Sequence, residues 1–317
     1  MEFVHSPVFI NSIWIGSTFL LGFAFKRIGM PPMLGFLASG FLMNILGLTG
    51  GSLALDRIAD LGIFLLLFTI GLKLDLRSLT RPEIWGGATL HALLTILFMG
   101  GVLFGAGTLG AAMLPSLSPV QAALIGFVLS FSSTVFAVKV LEEKGEMKAI
   151  HGQVSIGILI MQDLMAVFFL TLPKGELPSL WALALPLFLF GVRPLLSYVI
   201  NHIGHGELLP LSGFFIALVV GATSFSLVGF KPDLGALVAG VLIGAHPRAH
   251  ELSKSLYSLK DVFLVGFFFQ VGLTGIPRGG HVLAALGLLP LLLVKSCIYF
   301  LVLTRFHLRS RTSMLAT

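Results

Sequence analysis

Charged residues are scarce in this chain: only 11% of its 317 residues are Asp, Glu, Lys or Arg, while 56% are hydrophobic. Ordinary soluble domains carry about 25% charged residues, so this composition excludes that class. Apolar runs of about 20 residues recur along the whole sequence, which is the length that crosses a bilayer as a helix. The runs are continuous rather than alternating, which favours helices over a barrel. The sequence therefore predicts an all-α, polytopic membrane helix bundle.

Cysteine and metal-binding motifs are nearly absent. The single cysteine, Cys297, lies inside an apolar run, and the chain has no HExxH, no CxxC and no clustered His/Cys set. We therefore expect no disulfide within the chain, no metal site and no cofactor. No nucleophile, base and orienting group stand together, so an enzyme is the least supported class. The segment GAGTLG (105–110) matches GxGxxG, but no strand precedes it.

Apolar runs and the prolines between them predict eleven membrane spans in a single transmembrane domain, 1–317, without room for a soluble domain. Their approximate bounds are 8–25, 31–48, 54–72, 85–109, 119–141, 152–172, 178–200, 208–229, 234–246, 259–276 and 281–304.

The distribution of basic residues predicts the orientation. With loops assigned alternately, four Lys and Arg lie on the side of the N-terminus and fifteen on the other side, and the last of the 20 is Lys295 within a span. Basic residues concentrate in cytoplasmic loops. We therefore expect the N-terminus outside and the C-terminus in the cytoplasm, and we read the net charge of +6 as membrane topology rather than as nucleic-acid binding.

An aspartate interrupts the sixth run, GILIMQDLMAVFF (157–169). Asp163 lies near the middle of this span, where a carboxylate costs roughly 2.5–3.5 kcal/mol on insertion scales. Burial favours the neutral acid and an arriving cation favours the carboxylate, so one side chain can exchange a proton for a cation. The alternative is a hydrogen bond that holds neighbouring helices together. Gln162 beside it can offer an amide oxygen to an ion or make an interhelical hydrogen bond.

Three further polar features lie at membrane depth. Lys295 lies in the middle of the last run, where we expect it to pair with Asp163, the alternatives being snorkelling and a contact with a backbone carbonyl. The stretch LSFSSTVFAV (129–138) places Ser132, Ser133 and Thr134 in the fifth run, as in an unwound helix that coordinates ions or, alternatively, in a close helix contact. His91 is interpreted as a packing residue.

Five motifs, in order and spacing, resemble the monovalent cation:proton antiporter-2 family, especially its Kef-type potassium/proton branch. They are FLLLFTIGLKLDLRSL (64–79), SFSSTVFAVKVLEEKGEM (130–147), ILIMQDLMAV (158–167), LGALVAGVLIGAHPRAHEL (234–252) and LKDVFLVGFFFQVGL (259–273).

The resemblance implies an inverted-repeat fold of about thirteen helices with two broken helices that cross at the midplane. It implies that the cation and the proton bind at Asp163, that the Gln-Asp pair favours potassium over sodium, and that Lys295 is the membrane lysine of the family. It further implies a homodimer in the cell (inner) membrane.

The chain departs from the family pattern at its end. The two last spans, which include the second broken helix, and the soluble nucleotide-binding regulatory domain are not in the sequence. We therefore expect a domain that is incomplete at its C-terminus. Gln270 occupies a position that is usually a small residue.

These observations predict an electroneutral antiporter that exchanges a monovalent cation, K⁺ rather than Na⁺, for a proton by alternating access. Two other functions fit the same residues. A gated cation channel would also use intramembrane hydroxyls and an acid. An anion or organic-acid symporter on the same fold would hold its substrate at helix N-termini, with Lys295 facing the substrate.

Overall fold

A computed structural model describes residues 7–48, 53–74, 81–108, 117–171, 179–275, 279–306 and 308–316. All regular secondary structure in these ranges is helical. The helices of the first half are α1 (Pro7–Arg27), α2 (Pro32–Ile45), α3 (Leu53–Gly71), α4 (Pro82–Thr108), α5 (Pro119–Ser130), α6 (Thr134–Glu143) and α7 (Ile150–Thr171). Those of the second half are α8 (Leu185–His202), which a 3₁₀ turn (Leu180–Ala184) precedes, α9 (Leu208–Phe214), α10 (Ser224–Leu227), α11 (Pro232–Gly244), α12 (Ala249–Leu273), α13 (Gly279–Arg305) and α14 (Ser310–Ala316).

The chain divides into two compact units. The first comprises Met1–Leu74 and Leu177–Arg278, and the second comprises Asp75–Glu176 and Gly279–Thr317. The sequence predicted a single domain over 1–317, and that prediction is not tested by this division. All of the predicted site residues lie in the second unit.

Six helical segments of the described ranges are long and apolar enough to cross a membrane by length and composition. They are Phe9–Arg27, Pro82–Thr108, Pro119–Glu143, Trp181–His202, Leu208–Leu227 and Ala249–Leu273. Large apolar side chains such as Leu183, Leu227 and Leu97 are 82%, 79% and 72% exposed, as expected of helices that face lipid. The all-helical membrane fold is confirmed. The count of eleven spans and the inverted repeat stay predictions.

Proline sets the start of several of these helices. Pro32, Pro82, Pro119 and Pro232 each occupy the first position of a helix, where the missing N–H has no helical partner in any case. At α5, the Ser118 hydroxyl also accepts from the Gln121 N–H and the Gln121 amide oxygen accepts from the Ser118 N–H. Proline thus removes one unpaired donor at the start of each helix, and the Ser118–Gln121 pair satisfies further donors at α5.

Glycine allows the helices of the first unit to meet backbone to backbone. A Cβ added at Gly71 of α3 would lie 2.9 Å from the Gly240 Cα of α11. A Cβ added at Gly40 of α2 would lie 2.7 Å from the Gly272 Cα of α12. Close approach of small residues is how membrane helices gain packing energy in the absence of a hydrophobic driving force.

A π-helical stretch, Phe215–Thr223, links α9 to α10 in the first unit. A Cβ added at Gly221, within it, would lie 2.6 Å from the Gly235 carbonyl oxygen of α11. The wider π turn therefore lies at another close backbone contact.

The helix α12 begins at Ala249, ten residues before the predicted span 259–276. The segment HELSKS (250–255) is polar, but α12 buries every fourth residue from position 252. Leu252, Leu256 and Lys260 are all 0% exposed. The Lys260 ammonium lies 3.4 Å from the Asp261 carboxylate and 4.3 Å from the centre of the Tyr257 ring. An ion pair and an aromatic face thus allow this lysine to occupy a core position.

In the second unit, α4 packs against α5, α7 and α13. Its core joins Ile84 of α4, Val154 and Ile158 of α7, and Tyr299 and Leu303 of α13. These helices hold the broken helix α5–α6 and the polar residues beside it.

The glycine contact between α3 and α11 predicts the effect of a single methyl group. We expect Gly240→Ala to lower the free energy of unfolding by about 1–3 kcal/mol, because the new Cβ meets backbone atoms that cannot change rotamer. The measurement is thermal unfolding in detergent.

The matched control is Gly191→Ala on α8, where an added Cβ would have nothing within 4 Å. Alanine there should stabilise the helix by roughly 0.5–1 kcal/mol. Equal melting temperatures for the two variants would contradict the assigned glycine contact.

Candidate ion-binding site

The fifth predicted span is a broken helix. Helix α5 ends at Ser130, Phe131 is extended with φ −73° and ψ 154°, and α6 begins at Thr134. The Ser133 hydroxyl caps α6 by accepting a hydrogen bond from the Phe136 N–H at 3.3 Å. Residues 131–133 therefore form a nonhelical break in an apolar segment, as the serine stretch predicted.

Gln162 of α7 supplies hydrogen bonds that the break removes from the backbone. Its amide oxygen accepts from the Ser132 N–H at 3.3 Å, and its amide nitrogen donates to the Ser130 carbonyl at 3.4 Å. The side chain is only 2% exposed. Gln162 thus replaces missing helical partners on both sides of Phe131, which is the interhelical role that its sequence position left open.

Asp163 is adjacent to the start of α6. Its carboxylate accepts a hydrogen bond from the Thr134 hydroxyl at 3.1 Å, and the side chain is half-buried. Thr134 is the first residue of α6, and the N-terminus of a helix carries a partial positive charge that favours an anion. The carboxylate therefore lies next to the positively polarised end of α6.

Lys295 of α13 contacts the other side of the break. Its ammonium donates to the Phe131 carbonyl at 2.7 Å and to the Ser132 hydroxyl at 3.3 Å. The Phe131 carbonyl follows the end of α5, where a helix carries a partial negative charge that favours a cation. The carbonyl contact was one of the alternatives for Lys295, and its pairing with Asp163 stays a prediction.

The break therefore presents helix ends of opposite sign, each next to a side chain of complementary charge. Residues 130–134 and helix α7 supply carbonyl, hydroxyl and carboxylate oxygens to this break. Ser132 and Ser133 are exposed. Oxygen ligands of this kind suit a hard cation that has lost part of its hydration shell.

The structure brings Asp163, Gln162, Ser132, Thr134 and Lys295 to this break, while Ser133 contributes through the helix cap. The Phe131 carbonyl is the part that the sequence did not indicate, because a backbone oxygen has no side-chain signal. Across the described ranges, no three His, Cys, Asp or Glu side chains are grouped so that they could hold a metal ion.

The bridging role of Gln162 predicts a loss of stability in Gln162→Leu. The change leaves the Ser132 N–H and the buried Ser130 carbonyl without the amide, which should lower the free energy of unfolding by about 1–3 kcal/mol in a thermal melt. Gln153→Leu, on the same helix, is the control, because the Gln153 amide donates to the exposed Lys148 carbonyl. A Gln162 variant as stable as this control would rule out the bridge.

The sequence of this chain is similar to a known family and to curated proteins. The sequence profile of the family described as sodium/hydrogen exchanger, transmembrane, matches residues 15–317. The glutathione-regulated potassium-efflux system protein KefC of Cronobacter sakazakii is 30% identical over 284 residues, which are 83% of this chain and 44% of KefC. The putative K⁺ efflux antiporter KefB of Alkalimonas amylolytica is 29% identical over 310 residues, which are 87% of this chain and 45% of KefB.

The chain thus spans less than half the length of these curated relatives. The match to the family profile covers nearly all of its residues, including the broken helix and both charged side chains beside it. The chain therefore belongs to the transmembrane sodium/hydrogen exchanger family, and the predicted resemblance to a Kef-type cation:proton antiporter membrane domain is confirmed.

Proposed function

We propose that this chain exchanges K⁺ for a proton across the cell (inner) membrane. The observation that carries the proposal is the broken helix α5–α6, where Asp163 and Lys295 lie beside helix ends of opposite sign. The relatives named as potassium-efflux proteins support potassium rather than sodium as the cation.

Asp163 is the group that carries the exchange. A proton neutralises the carboxylate in a partly buried site, and a cation neutralises it equally well, so the two compete for one side chain. The Thr134 hydroxyl can turn its lone pairs toward a bound cation once it no longer donates to the carboxylate. One carboxylate with a neutral amide beside it gives one charge in each direction, which makes the exchange electroneutral.

Lys295 competes with the cation for the same oxygens. Its ammonium holds the Phe131 carbonyl and the Ser132 hydroxyl, which are the ligands that a dehydrated K⁺ would take. Either the lysine or the cation can use them at one time. The lysine ammonium therefore occupies these oxygens before a cation arrives and leaves them when a cation binds.

Alternating access is the mechanism proposed for the exchange, with the N-terminus outside and the C-terminus in the cytoplasm. A homodimer is the proposed assembly. An anion symporter fits less well, because Asp163 already places a negative charge at the N-terminus of α6, where an anionic substrate would lie.

Replacing the carboxylate tests the exchange. We expect Asp163→Asn in proteoliposomes with an internal pH dye to lose at least about 90% of K⁺-driven proton flux, because an amide neither titrates nor neutralises a cation. Glu207→Gln, which removes an exposed carboxylate, should leave the flux intact. Undiminished flux in Asp163→Asn would end this mechanism. Currents far above a thousand ions per second would favour the channel, since domain motions take μs to ms.

Removing the competing ammonium tests the role of Lys295. We expect Lys295→Met to lower the KM for K⁺ roughly tenfold, the size of one charge-assisted hydrogen bond. It should also lower the melting temperature, because the Phe131 carbonyl loses its donor. Lys254→Met, at an exposed position of α12, is the control. A KM that rises would show that Lys295 assists the cation rather than competing with it.

A further inference from the structure

His91 of α4 is a buried histidine with an unused nitrogen. The side chain is 0% exposed, and its Nε2 lies 3.2 Å from the Thr95 hydroxyl. Its Nδ1 has no hydrogen-bond partner among the described residues. Buried polar atoms are nearly always paired, so an orphan of this kind in a native fold calls for an explanation.

The unused nitrogen can accept a hydrogen bond. The Thr95 hydroxyl can donate or accept, so the ring can adopt either neutral tautomer. When Nε2 carries the proton and donates to Thr95, the Nδ1 lone pair is open to a donor. A merely structural histidine would gain stability from pairing this nitrogen, and an apolar ring of the same shape would avoid the cost of burying an unpaired Nδ1.

Lys295 lies on the helix that packs against the His91 ring. The His91 ring packs on Tyr299, with 4.3 Å between the ring centres, and Tyr299 follows Lys295 by one helical turn on α13. The Lys295 backbone carbonyl lies near the imidazole, although it does not meet hydrogen-bond geometry at Nδ1. The flexible four-carbon stem of a lysine lets its ammonium change partners while the backbone stays in place.

The exchange cycle creates the need for a second acceptor. A cation that takes the Phe131 carbonyl and the Ser132 hydroxyl leaves the Lys295 ammonium without its two described partners. An ammonium without an acceptor is costly at membrane depth. The cation-bound state therefore requires another acceptor for Lys295.

We propose that the His91 Nδ1 receives the Lys295 ammonium when a cation occupies the broken-helix site. His91 is then a positioning residue, which acts on the cation through Lys295 by accepting a hydrogen bond from its ammonium at Nδ1. This inference rests on the proposed function, because it requires a cation at the break. It assigns to His91 a role beyond the packing role that its sequence position suggested.

Three substitutions separate this role from packing. His91→Phe keeps a ring against Tyr299 and removes the acceptor. His91→Asn places an amide oxygen near the position of Nδ1. Lys295→Met removes the donor, so a double-mutant cycle with His91→Phe measures the coupling of the two side chains.

The test uses the whole chain in proteoliposomes, with the KM for K⁺ as the main readout and the melting temperature in detergent, with and without K⁺, as the second. We expect His91→Phe to raise the KM about tenfold at an unchanged maximal rate, as the loss of one charge-assisted hydrogen bond would do. Its melting temperature without K⁺ should fall only slightly, because the Thr95 hydroxyl loses its partner while the unpaired Nδ1 is removed, and its stabilisation by K⁺ should shrink. His91→Asn should restore the wild-type KM. In the Lys295→Met background, His91→Phe should change nothing further.

The outcomes distinguish the two proposals. A wild-type chain that neither exchanges K⁺ nor gains stability from it overturns the proposed function and the inference together. A wild type that responds to K⁺, with His91→Phe unchanged in KM, overturns the inference alone. An equal effect of His91→Phe with and without Lys295 does the same, because the histidine would then act independently of the lysine.

Discussion

The backbone hydrogen bonds that are missing between Ser130 and Thr134 are the constraint on which the site depends. A helix that stops in an apolar layer leaves donors and acceptors that cost several kcal/mol each in the absence of partners. Here Gln162 bridges both sides of the gap and Lys295 supplies a donor to the Phe131 carbonyl. The polar residues at membrane depth are therefore required by the fold even before any ion is considered.

The proposed exchange would use these same hydrogen-bonding atoms. Oxygens that stabilise a broken helix by accepting from a lysine are also ligands for a dehydrated cation, so under this proposal an arriving ion replaces a protein contact rather than creating a new pocket. Such a replacement would keep the free energies of the two states close, which the proposed transport cycle requires. Asp163 lies on the opposite side of the break from this contact, beside the positive end of α6, and the two charges need not be satisfied by each other.

Several of these features follow from the sequence, and others cannot. The serine stretch was compatible with a break or with a close helix contact, and the structure shows the break; Asp163 stood out because a membrane acid is costly. The Phe131 carbonyl gave no signal, since every residue has one. The early start of α12 was hidden because His250, Glu251 and Lys254 make the segment before residue 259 polar, although Leu252 and Leu256 within it are buried. The unpaired nitrogen of His91 likewise depends on where Thr95 and Tyr299 lie.

The glycine contacts of the first unit have a mechanical consequence. Where Gly71 contacts Gly240 and Gly40 contacts Gly272, the helix backbones approach each other without side chains between them. These contacts therefore have no side-chain rotamers that could adjust if the helices moved. If the bilayer thickens or thins, the two helices of each contacting pair must then tilt together as one body. The thickness of the surrounding lipid should therefore change the tilt of whole helix pairs in this unit rather than the packing within each pair.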